Sequence, residues 1–117
     1  MIEHKNILDI ISLYRKKFTK EEVLESVCQA LHITRDKMLL RGKPQWLTEA
    51  RQIYFFFCNE TCDETLIAYS LEVNCISHTS VLHGWQNITD KLEIGDDIIT
   101  EKVTLVYKNL LGQKIYK

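Results

Sequence analysis

The sequence predicts an all-α fold, and three observations carry that expectation. Apolar residues recur at three- and four-residue spacing along most of the chain. Helix-starting residues stand ahead of these runs, most clearly Thr19 with Glu22 three positions on. The composition, 45% hydrophobic and 26% charged, is that of a charged surface around one apolar core. The 117 residues make one helical domain, 1–117, large enough to bury a core without covalent staples.

The elements follow in order. Ile7, Ile10, Ile11 and Tyr14 line one face of a first helix over residues 5–17, with Lys16 and Lys17 in its last turn, favourable against the helix dipole. Thr19 to Glu22 is a capping box for a second helix whose buried face is Val23, Leu24, Val27, Cys28 and Leu31. That helix ends near His32, a surface or capping position. Thr34 caps a short third helix through Leu40 that turns Met38 and Leu39 inward. Arg41-Gly42-Lys43-Pro44 is a turn, with Pro44 suited to a helix start. A fourth helix from Gln45 to Thr61 is apolar on most sides, Trp46 and Phe55 to Phe57 included, and so belongs at the centre.

Asp63 is expected to cap a short helix that buries Leu66, Tyr69 and Val73. Asn74-Cys75-Ile76 is the turn after it, since Asn accepts positive φ better than most residues. The next helix starts at Ser77 as N-cap and runs to about Ile94, with Val81, Leu82, Trp85, Ile88 and Leu92 as its apolar face. Gly84 inside it costs up to ~1 kcal/mol of helix propensity, which a close crossing with the preceding helix explains. A last helix capped by Asp96 or Asp97 carries Ile99, Val103, Val106 and Leu110, and stops at Gly112. Gln113 to Lys117 is read as a frayed tail. Val103 to Tyr107 is β-prone, but its spacing and flanking glycines favour helix.

Residues 63–94 thus read as a helix-turn-helix. The first turn of its second helix, Ser77-His78-Thr79-Ser80, is small and polar, and the later turns are apolar. A helix that inserts its start into the DNA major groove while its flank packs on a scaffold has this division. On local sequence alone, the same four residues can simply start a helix.

Ser77-His78-Thr79-Ser80-Val81-Leu82-His83-Gly84 resembles the Asp-His-Thr/Ser-Thr/Ser-Val-Leu-His-Ala run of the C-terminal DNA-binding domain of the bacterial replication initiator DnaA. Thr65 to Asn74 is similar to that family's Ser-Leu-x-x-Ile-Gly-x-x-Phe-Gly segment, and Ala50-Arg51-Gln52-Ile53 to its Arg-Gln helix. Val23 to Leu40, with Asp36-Lys37-Met38-Leu39, is similar to its first helices. The resemblance covers roughly residues 21 to 110. It implies a DnaA C-terminal or Trp-repressor-like helical fold and sequence-specific binding of double-stranded DNA, in replication initiation or transcription regulation. The DNA-binding residues it implies are Lys43 and Arg51 with Ser77, His78, Thr79 and Ser80. Arg51 falls where the family has a minor-groove Arg; on the residues alone it can equally pair with Glu49 or Glu60. Where the family has Asp and Arg before the His, this chain has Ser77 and Ile76. The first change removes a carboxylate able to accept from cytosine, the second a phosphate contact.

Charge separates two readings. Residues 1–50 carry a net +2 and residues 51–117 a net −3, for −1 in all. A basic excess is the usual footprint of a DNA binder. The alternative is therefore a helix-turn-helix relic used as a protein-interaction or dimerisation module, with the apolar face of residues 7–14 as the surface for a homodimer or protein partner. Arg15-Lys16-Lys17 with Lys20 is read as solvated surface.

Chemistry is sparse. The sequence has no GxxxxGK[ST] loop, HExxH or GxSxG signature. His78 and His83, five apart, face different sides of a helix. No enzyme activity, nucleotide, metal or other cofactor is expected, and the resemblance implies a stand-alone domain without the family's ATPase. Cys28, Cys58, Cys62 and Cys75 lack zinc-finger spacing and read as reduced thiols that serve as small core hydrophobes. No apolar run reaches the ~20 residues of a membrane span, and no secretion signal opens the chain. A cytoplasmic location is expected.

Overall fold

The computed structural model describes residues 4–40, 44–73 and 77–116. These form seven helices and, among the described residues, no strand. Gln45–Thr61, α4, is the central helix: nine of its seventeen residues are buried, Leu47, Ala50, every residue from Ile53 to Cys58, and Thr61. A helix can bury that many positions only if neighbours cover most of its circumference. Here α1 (His4–Ser12), α2 (Lys20–Leu31), α3 (Arg35–Met38), α5 (Leu66–Glu72) and α6 (His78–Glu93) all pack on it, α6 most extensively. The last helix, α7 (Asp97–Tyr116), lies chiefly along α2 and also touches α1 and α6.

The capping signals locate most helix starts. The Thr19 hydroxyl accepts from Glu22 N at 3.1 Å and the Glu22 carboxylate accepts from Thr19 N at 2.9 Å, which completes the expected box. Thr34 accepts from Lys37 N. Asp96 accepts from Ile99 N at 2.9 Å and starts α7. His32 closes α2 in the left-handed conformation, φ 57°. The cap of α5 is Thr65, which accepts from Ala68 N, and not Asp63. Thr65 wins because it directly precedes the helix, whereas Asp63 lies two residues too early and is exposed.

Several boundaries differ from the sequence reading. The first helix ends at Ser12 rather than at residue 17. The chain turns over Leu13 to Lys16, with Lys16 at φ 59°. Lys17 N and Phe18 N then both donate to the Thr61 carbonyl, at 3.0 and 3.2 Å. The turn drives Phe18 into the core beside Tyr14, ring centroids 5.8 Å apart. Continuing the helix would have left that aromatic surface in water. The third helix stops at Met38, and Leu40 is exposed. Trp46, expected inside, is 45% exposed at the mouth of a cleft between α4, α7 and the end of α2. Gly112 does not end α7, which continues to Tyr116. The Gln113 amide donates to Glu22 O at 3.0 Å and to the buried Ser26 hydroxyl, and so docks the expected tail on α2.

Gly84 is the tight point of the fold. A Cβ there would stand 3.1 Å from the Cα of Gln52 and 3.1 Å from Phe55 Cδ2. The close crossing expected from the sequence is therefore present, but it is with α4 and not with the preceding helix α5. Substitution by a larger residue would push α6 off α4. Gly84→Leu is expected to lower stability by about 1–3 kcal/mol, the usual cost of overpacking, measured by urea denaturation. A loss within the ~0.5 kcal/mol typical of surface substitutions would mean that the crossing can open without cost.

Candidate nucleic-acid interface

The exposed start of α6 is built by what holds the rest of that helix. The helix that α6 packs on most extensively is α4, and Val81, Ile88 and Leu92 are fully buried. Each contributes roughly 1.5–3 kcal/mol of burial. Two polar clamps follow Gly84. Trp85 Nε1 donates to Glu60 Oε1 at 2.8 Å, and the Asn87 amide donates to Gln52 Oε1 at 2.7 Å. A hydrogen bond adds only about 0.5–1.5 kcal/mol net, so the apolar contacts supply most of the adhesion. The clamps fix register and rotation instead. With α6 set in this way, His78 and Thr79 are exposed on its first turn, and Ser77 and Ser80 are half-buried at the rim.

Ser77 occupies the N-cap position, as expected, but its side chain makes no capping bond. Its carbonyl accepts from Ser80 N at 3.2 Å. The backbone of Ser77, φ −117° and ψ 114°, is extended, and the turn is closed by the main chain rather than by the hydroxyl. Leu82, assigned to the buried face, is 42% exposed, and His83 beside it is also exposed.

Arg51 belongs to a second cluster. Its guanidinium reaches back to the end of α3, where Nε and Nη2 donate to Met38 O at 3.2 and 2.9 Å and Nη2 also donates to Leu40 O. Glu49 is engaged with Lys102, and Glu60 with Trp85. The planar fork of Arg51 thus gathers carbonyls at the end of a one-turn helix, where several lack intrahelical donors. It holds the chain just ahead of the segment 41–43. Lys43, the loop cation implicated from sequence, lies in that segment, outside the described residues, as do Asn74, Cys75 and Ile76 of the turn. Ion pairs brace the surroundings. Arg35 meets Glu72 at 3.0 Å, joining α3 to the end of α5, and Lys20 meets Glu64 at 2.8 Å.

Against this geometry, residues 20–88 match the family model of the bacterial DnaA protein helix-turn-helix. The chain belongs to this family. Relatives include the chromosomal replication initiator protein DnaA of Herpetosiphon aurantiacus, 26% identical over 99 residues, which covers 85% of this chain and 21% of that protein. The DnaA of Jannaschia sp. is 22% identical over 89% of this chain and 22% of its own length. That of Porphyromonas gingivalis is 24% identical over 72% and 18%. The chain therefore spans about a fifth of the length of these relatives. No solved structure gives a significant match.

Membership of the DnaA helix-turn-helix family supports DNA binding in general. Burial pushes the Cys58 thiol well above its ordinary range and raises Cys28 in the same direction, which is the reverse of what a nucleophilic thiolate needs. Cys28, Cys58 and Cys62 are free. Among the described residues no group of three His, Cys, Asp or Glu side chains converges as a metal site, and no helix is long and apolar enough to cross a membrane.

Sequence reading missed Gln52 and Glu60, the α4 residues that orient α6. A signal existed for one of them. A largely buried Trp needs a partner for its indole N–H, and Glu60 is an acid near the end of the neighbouring apolar helix. For Arg51, the three hydrogen bonds to carbonyls make a structural contribution. Arg51→Ala should lower stability by about 1.5–3 kcal/mol, the range for hydrogen bonds from a charged donor. Arg51→Lys should recover only part, because an ammonium cannot reproduce the fork. Thermal melts of both variants measure this, and a fully stable Arg51→Ala would show that the guanidinium does not hold the α3 end.

Proposed function

We propose that this protein binds double-stranded DNA sequence-specifically through the first turn of α6, with α5 and α4 as its scaffold, in the control of replication or transcription. The carrying observation is the exposure of His78 and Thr79 at the start of a sixteen-residue helix whose flank is locked on α4. An imidazole can donate to or accept from a base edge. A Thr can bond a phosphate and pack its methyl group on that of thymine. The start of a helix also favours phosphate through its backbone N–H groups and dipole. The relatives are chromosomal replication initiator proteins, which supports replication as the setting.

In this reading Ser77 and Ser80 flank the base contacts and bond phosphates, and Lys43 supplies a point charge to the backbone. Arg51 either enters the minor groove or acts by placing the segment that carries Lys43. The carbonyl contacts of Arg51 support the second role. With Ser77 and Ile76 in place of the family's Asp and Arg, the site read is expected to differ from the usual DnaA box.

A second reading, protein interaction with little DNA binding, draws on the net charge of −1 and on exposed Ile67, Leu71 and Leu82 on the two helices of the motif. Fluorescence anisotropy on duplexes selected from a random pool, with scrambled controls and a salt series, separates the two. His78→Ala and Thr79→Ala should each reduce discrimination between sites by about 1–3 kcal/mol per lost base contact. Lys43→Ala should weaken all duplexes alike and flatten the salt dependence by about one unit of slope. Absence of binding to any duplex at low salt would sink the DNA reading and leave the interaction reading.

A further inference from the structure

We infer that α7 carries a self-complementary stripe by which two copies of this chain associate, antiparallel, about a two-fold axis at Leu105. The outward face of α7 is formed by Ile98, Glu101, Leu105, Lys108 and Gly112. These positions follow the three-four alternation of a helix–helix seam. Ile98 is 65% exposed and Leu105 44% exposed, although both belong to a helix whose opposite face, Ile99, Val103, Val106 and Leu110, is buried in the core.

Gly112 is the unexplained residue of this face. It lies inside a helix, where Gly costs about 1 kcal/mol relative to Ala. Nothing within 4 Å would meet a Cβ there, so no contact inside the fold requires its absence. At Gly84 the missing side chain is explained by α4; at Gly112 the surface is open. A second molecule approaching closely would explain it.

The charges fit the same partner. Among the described residues neither Glu101 nor Lys108 has an ion pair. They stand two helical turns apart on one helix, beyond the three- or four-residue reach of an intrahelical pair. Place a second α7 antiparallel, with the two Leu105 side chains meeting at the axis. Ile98 and Gly112 are each seven residues from Leu105, so Ile98 of one copy falls level with Gly112 of the other. Glu101 is four residues before Leu105 and Lys108 three after it. Each Glu101 then lies within one residue's rise, ~1.5 Å, of the level of Lys108 of the second copy. Two-fold symmetry makes every contact twice, as an isologous interface requires. A parallel arrangement would instead set Glu101 on Glu101 and Lys108 on Lys108.

One helix face buries less than the ~1,200 Å² of a stable complex, so the dimer is weak. The inference is independent of DNA binding and is tested without DNA. Sedimentation equilibrium over a concentration series should show the average mass rising from 13.8 kDa towards twice that value. Glu101→Lys replaces both ion pairs with like charges and should weaken association roughly tenfold. Adding Lys108→Glu in the same chain should restore it. Gly112→Leu, at a position with open space inside the monomer, should block association while leaving the thermal melt of a dilute sample unimpaired. A mass of 13.8 kDa at every concentration up to ~1 mM, the weak limit of measurable affinity, would overturn the inference. So would association that Glu101→Lys and Gly112→Leu leave unchanged.

Discussion

The approach of α6 to α4 at Gly84 is the constraint on which the rest of the structure depends. With contacts of 3.1 Å to Gln52 and Phe55 waiting for any Cβ, a side chain at this point would fit only if its neighbours gave way. That close approach lets Val81 before the crossing and Ile88 after it bury fully, and lets Trp85 and Asn87 reach polar partners on α4. Apolar burial holds the helices together, and the two hydrogen bonds decide how α6 is rotated. Rotation is what matters for function. A turn of one residue, ~100°, would carry His78 and Thr79 away from the open face.

The other half of the molecule keeps α4 in place. α7 lies along α2, and the amide of Gln113 binds the backbone of Glu22 and the hydroxyl of Ser26. Phe18, turned inward by the two bonds to the Thr61 carbonyl, closes the end of α4. These contacts lie far along the chain from the helix-turn-helix; α2 packs on α4 directly, and α7 backs α2. Some of the cations also brace the fold. Lys20, Arg35 and Lys102 each meet a carboxylate from another part of the chain. Positive charge so paired contributes less to attracting phosphate, and the net charge of −1 leaves no basic excess. Binding to DNA would then rest on few phosphate contacts and depend heavily on the α6 turn.

Helix existence was legible because the 3.6-residue period is a property of adjacent residues, and α4 was placed from Gln45 to Thr61 without error. Ends were legible where a side chain caps the backbone, at Thr19, Thr34 and Asp96. They were not legible where tertiary demand sets them. The first helix stops early because Phe18 has a place to go, and α7 continues past Gly112 because Gln113 finds Ser26. Trp46 and Leu82 were assigned to the core because they are apolar, but the helices rotate them outward. At the candidate site, the exposed first turn of α6 followed from the change from polar to apolar residues along that helix. The role of Arg51 did not, since its partners are carbonyls, which no side-chain pattern reveals.

The central claim is that α6 presents its first turn to DNA from a fixed seat on α4. Two-dimensional amide NMR of the isotope-labelled protein, titrated with duplex DNA at low salt, tests this most directly. The largest shifts should fall on the backbone amides of Ser77 to Ser80 and on the imidazole of His78. The amides of Gly84, Ile88 and Leu92 should move little, because the crossing does not rearrange. Shifts concentrated on α1 or α7, or a general shift along the whole of α6, would contradict it.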